Sequence, residues 1–275
     1  MKAWIPRPLA IVAAGLILFL YLPIIIVVIY AFNSGGNLSW PPEGFSFRWF
    51  DAMFAEEAFR AAFEMSMKVA LITTAIASLI GGMAALALTR DAWWLAKLVD
   101  TVARLPIMVP PLLIGIALLT TIAAAGLELS LLTIVAGHLI YVIPYVLVVV
   151  VARLQNFDLQ LERAARDLGA GPFEVIRRIT LPIIAPAVLG AALLAFGLSF
   201  DEIYITNFTA GAEPTLPLFV LSKLRRTVDP SINAVATVNL IIPWIALGLS
   251  ALVMGKSLRR LRANRRADPD TTPAS

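Results

Sequence analysis

The chain has 275 residues, 60% of them hydrophobic and only 15% charged, with a formal net charge of +4 and no cysteine. Ordinary soluble domains carry about 25% charged residues, so this composition excludes a soluble globule, and the missing cysteine excludes disulfides, thiol nucleophiles and Cys-ligated metals. The net positive charge does not point to nucleic acid in so apolar a chain; it is the signature of basic residues gathered on one face of a membrane.

Six runs contain no charged residue: 9–32, 69–89, 105–127, 131–152, 181–200 and 231–255. Each is close to the ~20 residues a helix needs to cross ~30 Å of hydrocarbon. The predicted fold is therefore all-α, a polytopic membrane protein with six transmembrane helices. A single transmembrane domain covers 1–260, and the polar residues 261–275 are expected to form a disordered cytoplasmic tail. The first run is longer than the apolar core of a signal peptide and no small-x-small cleavage site follows it, so it is expected to be a retained span. Sixteen of the 22 Lys and Arg residues fall on the side holding both termini and the loops after spans two and four. The positive-inside rule places that side in the cytoplasm.

After the first span, Gly35, Gly36, Pro41 and Pro42 mark turns. From Phe47 the chain reads as a helix, with Trp49, Phe50, Phe54, Phe59 and Phe63 among acids and arginines. Such aromatics suit the membrane–water boundary, and an interfacial helix leading into span two is expected. In span three Gly115 and Pro106, Pro110 and Pro111 are expected to permit kinks and close packing. In span four the single histidine, His138, is read as a hydrogen-bonded residue between helices. Tyr141 and Tyr145 share a face of that span at i, i+4, beside Pro144. Gly190 and Gly197, seven apart in span five, predict a close helix contact.

The loop after span four, about 157–181, is the most informative stretch. Leu161, Ala164, Ala165 and Leu168 recur at i, i+3, i+4, i+7, one face of a helix, with Glu162, Arg163, Arg166 and Asp167 off that face. Asp158 is positioned to cap the start. Gly169 stands where a helix ends in a left-handed residue, followed by Ala170, and Gly171-Pro172 turns the chain into a second helix with Phe173, Ile176 and Ile179 as its apolar stripe. Pro182 suits the first turn of span five. A short helix–turn–helix thus juts from the membrane, with Ala164, Ala165 and Gly169 small enough for another backbone to approach. Tethered between spans and without a base-reading set, it is not a DNA-binding unit.

This stretch resembles the loop that characterises the binding-protein-dependent inner-membrane permeases of ABC importers: Glu-Ala-Ala, three residues, Gly, then a hydrophobic stretch ending Ile-x-Leu-Pro. Ala164, Ala165, Gly169, Ile179, Leu181 and Pro182 match it. The resemblance implies a type I importer permease fold and a coupling helix, formed by Glu162, Arg163, Ala164, Ala165, Asp167, Gly169 and Ala170, that docks a separate ATPase. It implies as partners ABC ATPase subunits, a second related permease, a periplasmic binding protein and membrane lipid, in the bacterial inner membrane. ATP and Mg would be bound by the ATPase, with no cofactor or metal in this chain. One position departs: the family's Glu falls at Arg163, and the neighbouring Glu162 lies about 100° around the helix, so it does not replace the missing carboxylate.

After span five, Ser199-Phe200-Asp201-Glu202, then Thr215-Leu216-Pro217 and Pro230-Ser231-Ile232-Asn233-Ala234 resemble the polyamine branch, the C-type spermidine/putrescine permeases. That implies a polyamine substrate; permeases for other small organic solutes or ions share parts of the pattern. Asp201 lies nineteen residues past Pro182, about 28 Å along a helix, which sets Asp201 and Glu202 near the outer boundary. There they either attract a cation, helped by Tyr141 and Tyr145 through cation–π contact, or pair with Lys223, Arg225 or Arg226. No catalytic residue is expected: there is no Gly-x-x-x-x-Gly-Lys-Ser/Thr phosphate loop and no nucleophile cluster. An ion-gradient-driven transporter is the rival reading, and it leaves the 157–181 loop unexplained.

Overall fold

The computed structural model describes residues 7–37, 39–90, 96–226 and 230–267. Among these there is no strand, only one isolated bridge between Asn33 and Phe45. In chain order the helices are α1 (Arg7–Ala31), α2 (Arg48–Ala55), α3 (Glu57–Arg90), α4 (Ala96–Arg104), α5 (Pro111–Ala124), α6 (Leu131–Leu154), α7 (Gln160–Asp167), α8 (Pro172–Val175), α9 (Leu181–Phe200), α10 (Thr206–Thr209), α11 (Leu216–Arg226) and α12 (Ser231–Ala267). Five are long and apolar enough to cross a membrane.

The sixth expected span is not one straight helix. Its charge-free run divides between a 3₁₀ turn at Leu105–Met108 and α5, and the chain bends by 102° between Ala96–Met108 and Pro111–Ala124. Pro106, Pro110 and Pro111 supply the cause: proline removes an intrahelical donor, and the residue before it is pushed out of the helical region. Pro110 adopts φ −55, ψ 132, and α5 restarts with Pro111 in its first turn. At 14 residues α5 is about 21 Å long, too short to span alone.

Helices α3, α6, α9 and α12 form the core, and α1 packs along α12. On α3 a stripe of small residues (Ala62, Ser66, Ala70, Thr73, Ala77, Gly81, Ala85) is fully buried. With lipid on the outside there is no hydrophobic gain from helix pairing, so close backbone approach supplies the attraction. Gly81 is needed there: a Cβ would fall 2.9 Å from Val146 Cγ1. As expected, Gly190 and Gly197 both face a neighbour, α12; Ser250 Oγ donates to the Gly190 carbonyl at 2.8 Å and Gly197 lies against Pro243.

One expectation is met in outline and a second needs correction here. Helix α2 is the helix expected before span two, and it buries one side against the bundle. Met53 of α2 and Phe59 at the start of α3 are buried with Ala31, Phe200 and Leu216, while Phe47 and Phe54 stay exposed. The preceding turn folds around Asn33, whose Oδ1 accepts the Gly35 and Glu43 amides and whose carbonyl accepts Trp49 Nε1. Second, α12 continues to Ala267, past the expected end of the membrane domain at 260. Residues 259–267 are chiefly Arg, Leu and Ala, all strong helix formers; the rest of the expected tail, 268–275, lies outside the described residues.

Candidate functional site

Two regions carry the candidate residues, one at each end of the bundle. At the loop end, α7 and α8 form the expected helix–turn–helix. Asp158 Oδ1 accepts the Gln160 amide at 2.9 Å. The turn is closed by the Ala170 amide on the Ala165 carbonyl and the Gly169 amide on that of Arg166, with Gly169 at φ +88. This is the double hydrogen bond that ends a helix on a left-handed glycine. The second helix is not separate: α8 runs through a π-helical stretch, Ile176–Thr180, into α9. Pro182 in α9 has no amide for the turn before it, and the wider π turn accommodates that loss.

The apolar face of α7 points away from the bundle, with Leu161 and Leu168 exposed beside Arg163, Ala164, Arg166 and Asp167. Phe173 and Ile176 of the second stripe are exposed as well, and Val175 is buried in their place. Leu168, Gly169, Ala170 and Ala165 line a notch of about 360 Å3 with Glu174, Val175, Arg178 and Ile179. Glu162 does not belong to this surface. It is only 4% exposed, and its Oε1 accepts from Arg90 Nη2 at the end of α3 and from Thr180 Oγ1 ahead of α9. Its place in the first turn of α7, about 100° from Arg163, turns it inward.

Toward the other end, α9 stops at Phe200. Asp201 and Glu202 follow and separate. Asp201 is exposed and accepts one hydrogen bond, from Asn239 Nδ2 at 2.8 Å. Glu202 is buried: its carboxylate accepts the amides of Ile205 (2.8 Å) and Thr206 (2.9 Å) and thereby caps α10. His138 sits beside it, fully buried, with Nδ1 2.8 Å from Ser199 Oγ and Nε2 2.9 Å from Thr206 Oγ1 and 3.5 Å from the Glu202 carboxylate. The expected hydrogen-bonded role of His138 is what the geometry gives. Neither acid pairs with Lys223, whose Nζ lies 2.6 Å from Glu56.

The acids are recessed rather than at the rim. His138 is seven residues into α6 and Asn239 eight residues into α12, about 10–12 Å from the ends of those helices. Length along α9 alone would set them at the boundary, whereas α6 and α12 extend past the point where α9 stops. The residues after the break dock against glycines: a Cβ on Gly115 would fall 2.8 Å from Phe208 and 3.0 Å from the Tyr204 carbonyl, and one on Gly137 would fall 2.6 Å from Ile205.

Asp201, Glu202 and Tyr141 come together in a cleft of about 380 Å3, also lined by Pro111, Tyr204 and Trp244. Tyr145 is not among its lining residues; it packs edge-on against Tyr141, with centroids 5.3 Å apart. Tyr204 and Trp244, both exposed, were not singled out in the sequence. The available signal was an aromatic two residues after an acid pair and another beside an in-span proline. Both helix breaks, at Pro110 and at Asp201, open on this cleft.

A bundle of long apolar helices, one span broken, with a helix–turn–helix projecting between two spans, has the fold of a type I ABC importer permease. A chain of a bacterial ABC transporter involved in the import of the acidic polysaccharide alginate superposes with a TM-score of 0.65 over 91% of this chain and 94% of its own, at 16% identity. The MetNI methionine ABC transporter gives 0.57 over 74% and 94%, also at 16% identity. The chain belongs to the family of binding-protein-dependent transport system inner membrane components, which it matches over residues 77–264. It is 32% identical to the spermidine/putrescine transport system permease protein PotC of Haemophilus influenzae over 87% of this chain and 93% of that one. It is 34% identical to the putrescine transport system permease protein PotI of Escherichia coli over 90% and 92%.

Proposed function

We propose that this chain is the permease half that passes a polyamine, of the spermidine/putrescine class, through the inner membrane after delivery by a periplasmic binding protein. Asp201 supplies the charge that receives an ammonium group, and Tyr141, Tyr204 and Trp244 offer ring faces that attract a cation. Glu202 holds the wall of the cleft by capping α10. Energy comes from a separate ABC ATPase, which binds the ATP and Mg and docks on the exposed surface of α7 around Arg163, Ala164, Ala165, Asp167, Gly169 and Ala170. A second, related permease completes the channel. The reading that the α7 side and both termini are cytoplasmic is supported by the sixteen of 22 basic residues that fall on that side of the sequence's spans.

The observation that carries the substrate assignment is the cleft itself: a carboxylate ringed by aromatics at a double helix break, in a chain whose relatives are named as polyamine permeases. The test is uptake of labelled putrescine and spermidine by proteoliposomes holding the complete complex, with binding protein outside and ATP inside. Uptake that needs internal ATP, survives an uncoupler and is competed by unlabelled polyamine is expected. Uptake that runs without ATP and collapses with the uncoupler would instead establish an ion-driven transporter.

A further inference from the structure

Among the described residues, the side-chain hydrogen bonds that tie α7 to the bundle all end on one buried carboxylate. Glu162 Oε1 is shared between Arg90, the last residue of α3, and Thr180, the last residue before α9. The Arg90 guanidinium also lies 5.0 Å from the ring of Phe157, itself buried where the loop begins. Start of loop, coupling helix and start of α9 therefore converge on one ion pair. Among the described residues, every side-chain hydrogen bond from α7 to the spanning helices is made by Glu162. The rest of α7 is largely exposed.

We infer that Glu162 is a positioning residue: a latch that makes α7 move as one rigid body with α3 and α9, so that a displacement of α7 is transmitted to the spans instead of being absorbed at the loop's two junctions. The inference rests on the reading of α7 as the ATPase-docking helix. A carboxylate is required because it accepts from a guanidinium and a hydroxyl at once; an amide in its place loses the charge-assisted bonds, which are the stronger kind. The structure thereby accounts for two adjacent positions at which the sequence resemblance was uneven: Arg163 faces outward where the family's Glu would stand, and Glu162 faces inward with a different task.

The chain has no cysteine, so labels can be placed at will. Spin labels at Leu168→Cys, on the exposed tip of the loop, and Met83→Cys, on an exposed face of α3, report the relative freedom of the two elements in the assembled complex. A narrow distance distribution is expected in the parent, with a width at least doubled in Glu162→Gln and raised to a lesser extent in Thr180→Val. Substrate carried per ATP hydrolysed should fall at least five-fold in Glu162→Gln while the ATPase remains bound. An unchanged width in both variants, or an unchanged transport-to-ATP ratio, overturns the latch. Loss of the ATPase from both variants also overturns it, since the carboxylate would then serve assembly alone. Docking is scored separately by cross-linking Ala165→Cys to the ATPase: its failure in the otherwise unaltered chain defeats the docking reading, whereas the label widths still judge the latch.

Discussion

Asp201 and Glu202 are neighbours in sequence and should behave oppositely when neutralised. Glu202→Gln keeps the shape but replaces an ionised acceptor of two backbone amides, 2.8 and 2.9 Å away in a buried site, with a neutral amide. Hydrogen bonds to charged groups are worth about 1.5–3 kcal/mol each. The two amides bond different carboxylate oxygens, so glutamine weakens one bond and loses the other, at a cost of about 2–4 kcal/mol. At roughly 2–4 °C per kcal/mol for chains of this size, the purified complex should melt several degrees lower. Asp201→Asn keeps its single, solvent-exposed contact with Asn239 and should change stability by less than about 1 kcal/mol. Its effect falls on the substrate. A unit charge 4 Å from an ammonium group contributes between about 1 kcal/mol in water and about 4 kcal/mol near a protein surface, so uptake should fall at least ~5-fold with the melting temperature unchanged. The assay is paired: labelled putrescine uptake in proteoliposomes, and thermal unfolding of the same complexes. Normal uptake in Asp201→Asn would remove the substrate role, and unchanged stability in Glu202→Gln would refute the capping argument.

Gly169 adopts φ +88, so Gly169→Leu should cost about 1–2 kcal/mol locally and abolish transport with reduced ATPase co-purification; normal retention of the ATPase would count against docking there. Arg163→Glu should lower binding-protein-stimulated ATP hydrolysis, because an exposed arginine at that position calls for an acid on the partner; equal or higher stimulation would exclude such an acid. Gly115→Ala drives a Cβ to 2.8 Å from Phe208 and 3.0 Å from the Tyr204 carbonyl, and overpacking of this kind costs about 1–3 kcal/mol; a melting temperature and uptake equal to the parent's would show that the segment after α9 yields without consequence.

The sequence made the spanning helices legible because lipid demands long charge-free runs, and it made the turn at Gly169 legible because few residues tolerate its backbone. The kink in span three is legible from its three prolines, but hydropathy carries no measure of the 102° bend they make. The cleft was partly legible. Asp201, Glu202 and Tyr141 were chosen by chemistry, but nothing local says that Trp244 lies across from them, 43 positions beyond Asp201, since that contact arises from packing α12 on α9. Proximity to the motif points Glu162 at the docking surface, but the residue is buried. Its inward turn depends on Arg90, 72 residues earlier, and a pairing at that separation leaves no periodic trace.

The electrostatics of the cleft follow from where the helices end. The α9 C-terminus borders the cleft through Gly197 and Leu198, and the α5 N-terminus borders it at Pro111. Each end is equivalent to about half a charge, of opposite sign, so the two largely offset one another. Of the lining residues only Asp201 and Glu202 are ionisable acids, and no basic side chain joins them. Glu202 directs its charge to the amides of α10 and to His138, and is buried while doing so. Asp201, exposed and held only by Asn239, is the acid left to face the cleft on the proposed reading. On the proposed reading, the sign of the permeant then rests on a single side chain, which is why Asp201→Asn should reduce uptake of a cation far more than uptake of a neutral solute of similar size. Equal losses for both would mean that shape, not charge, selects at this cleft.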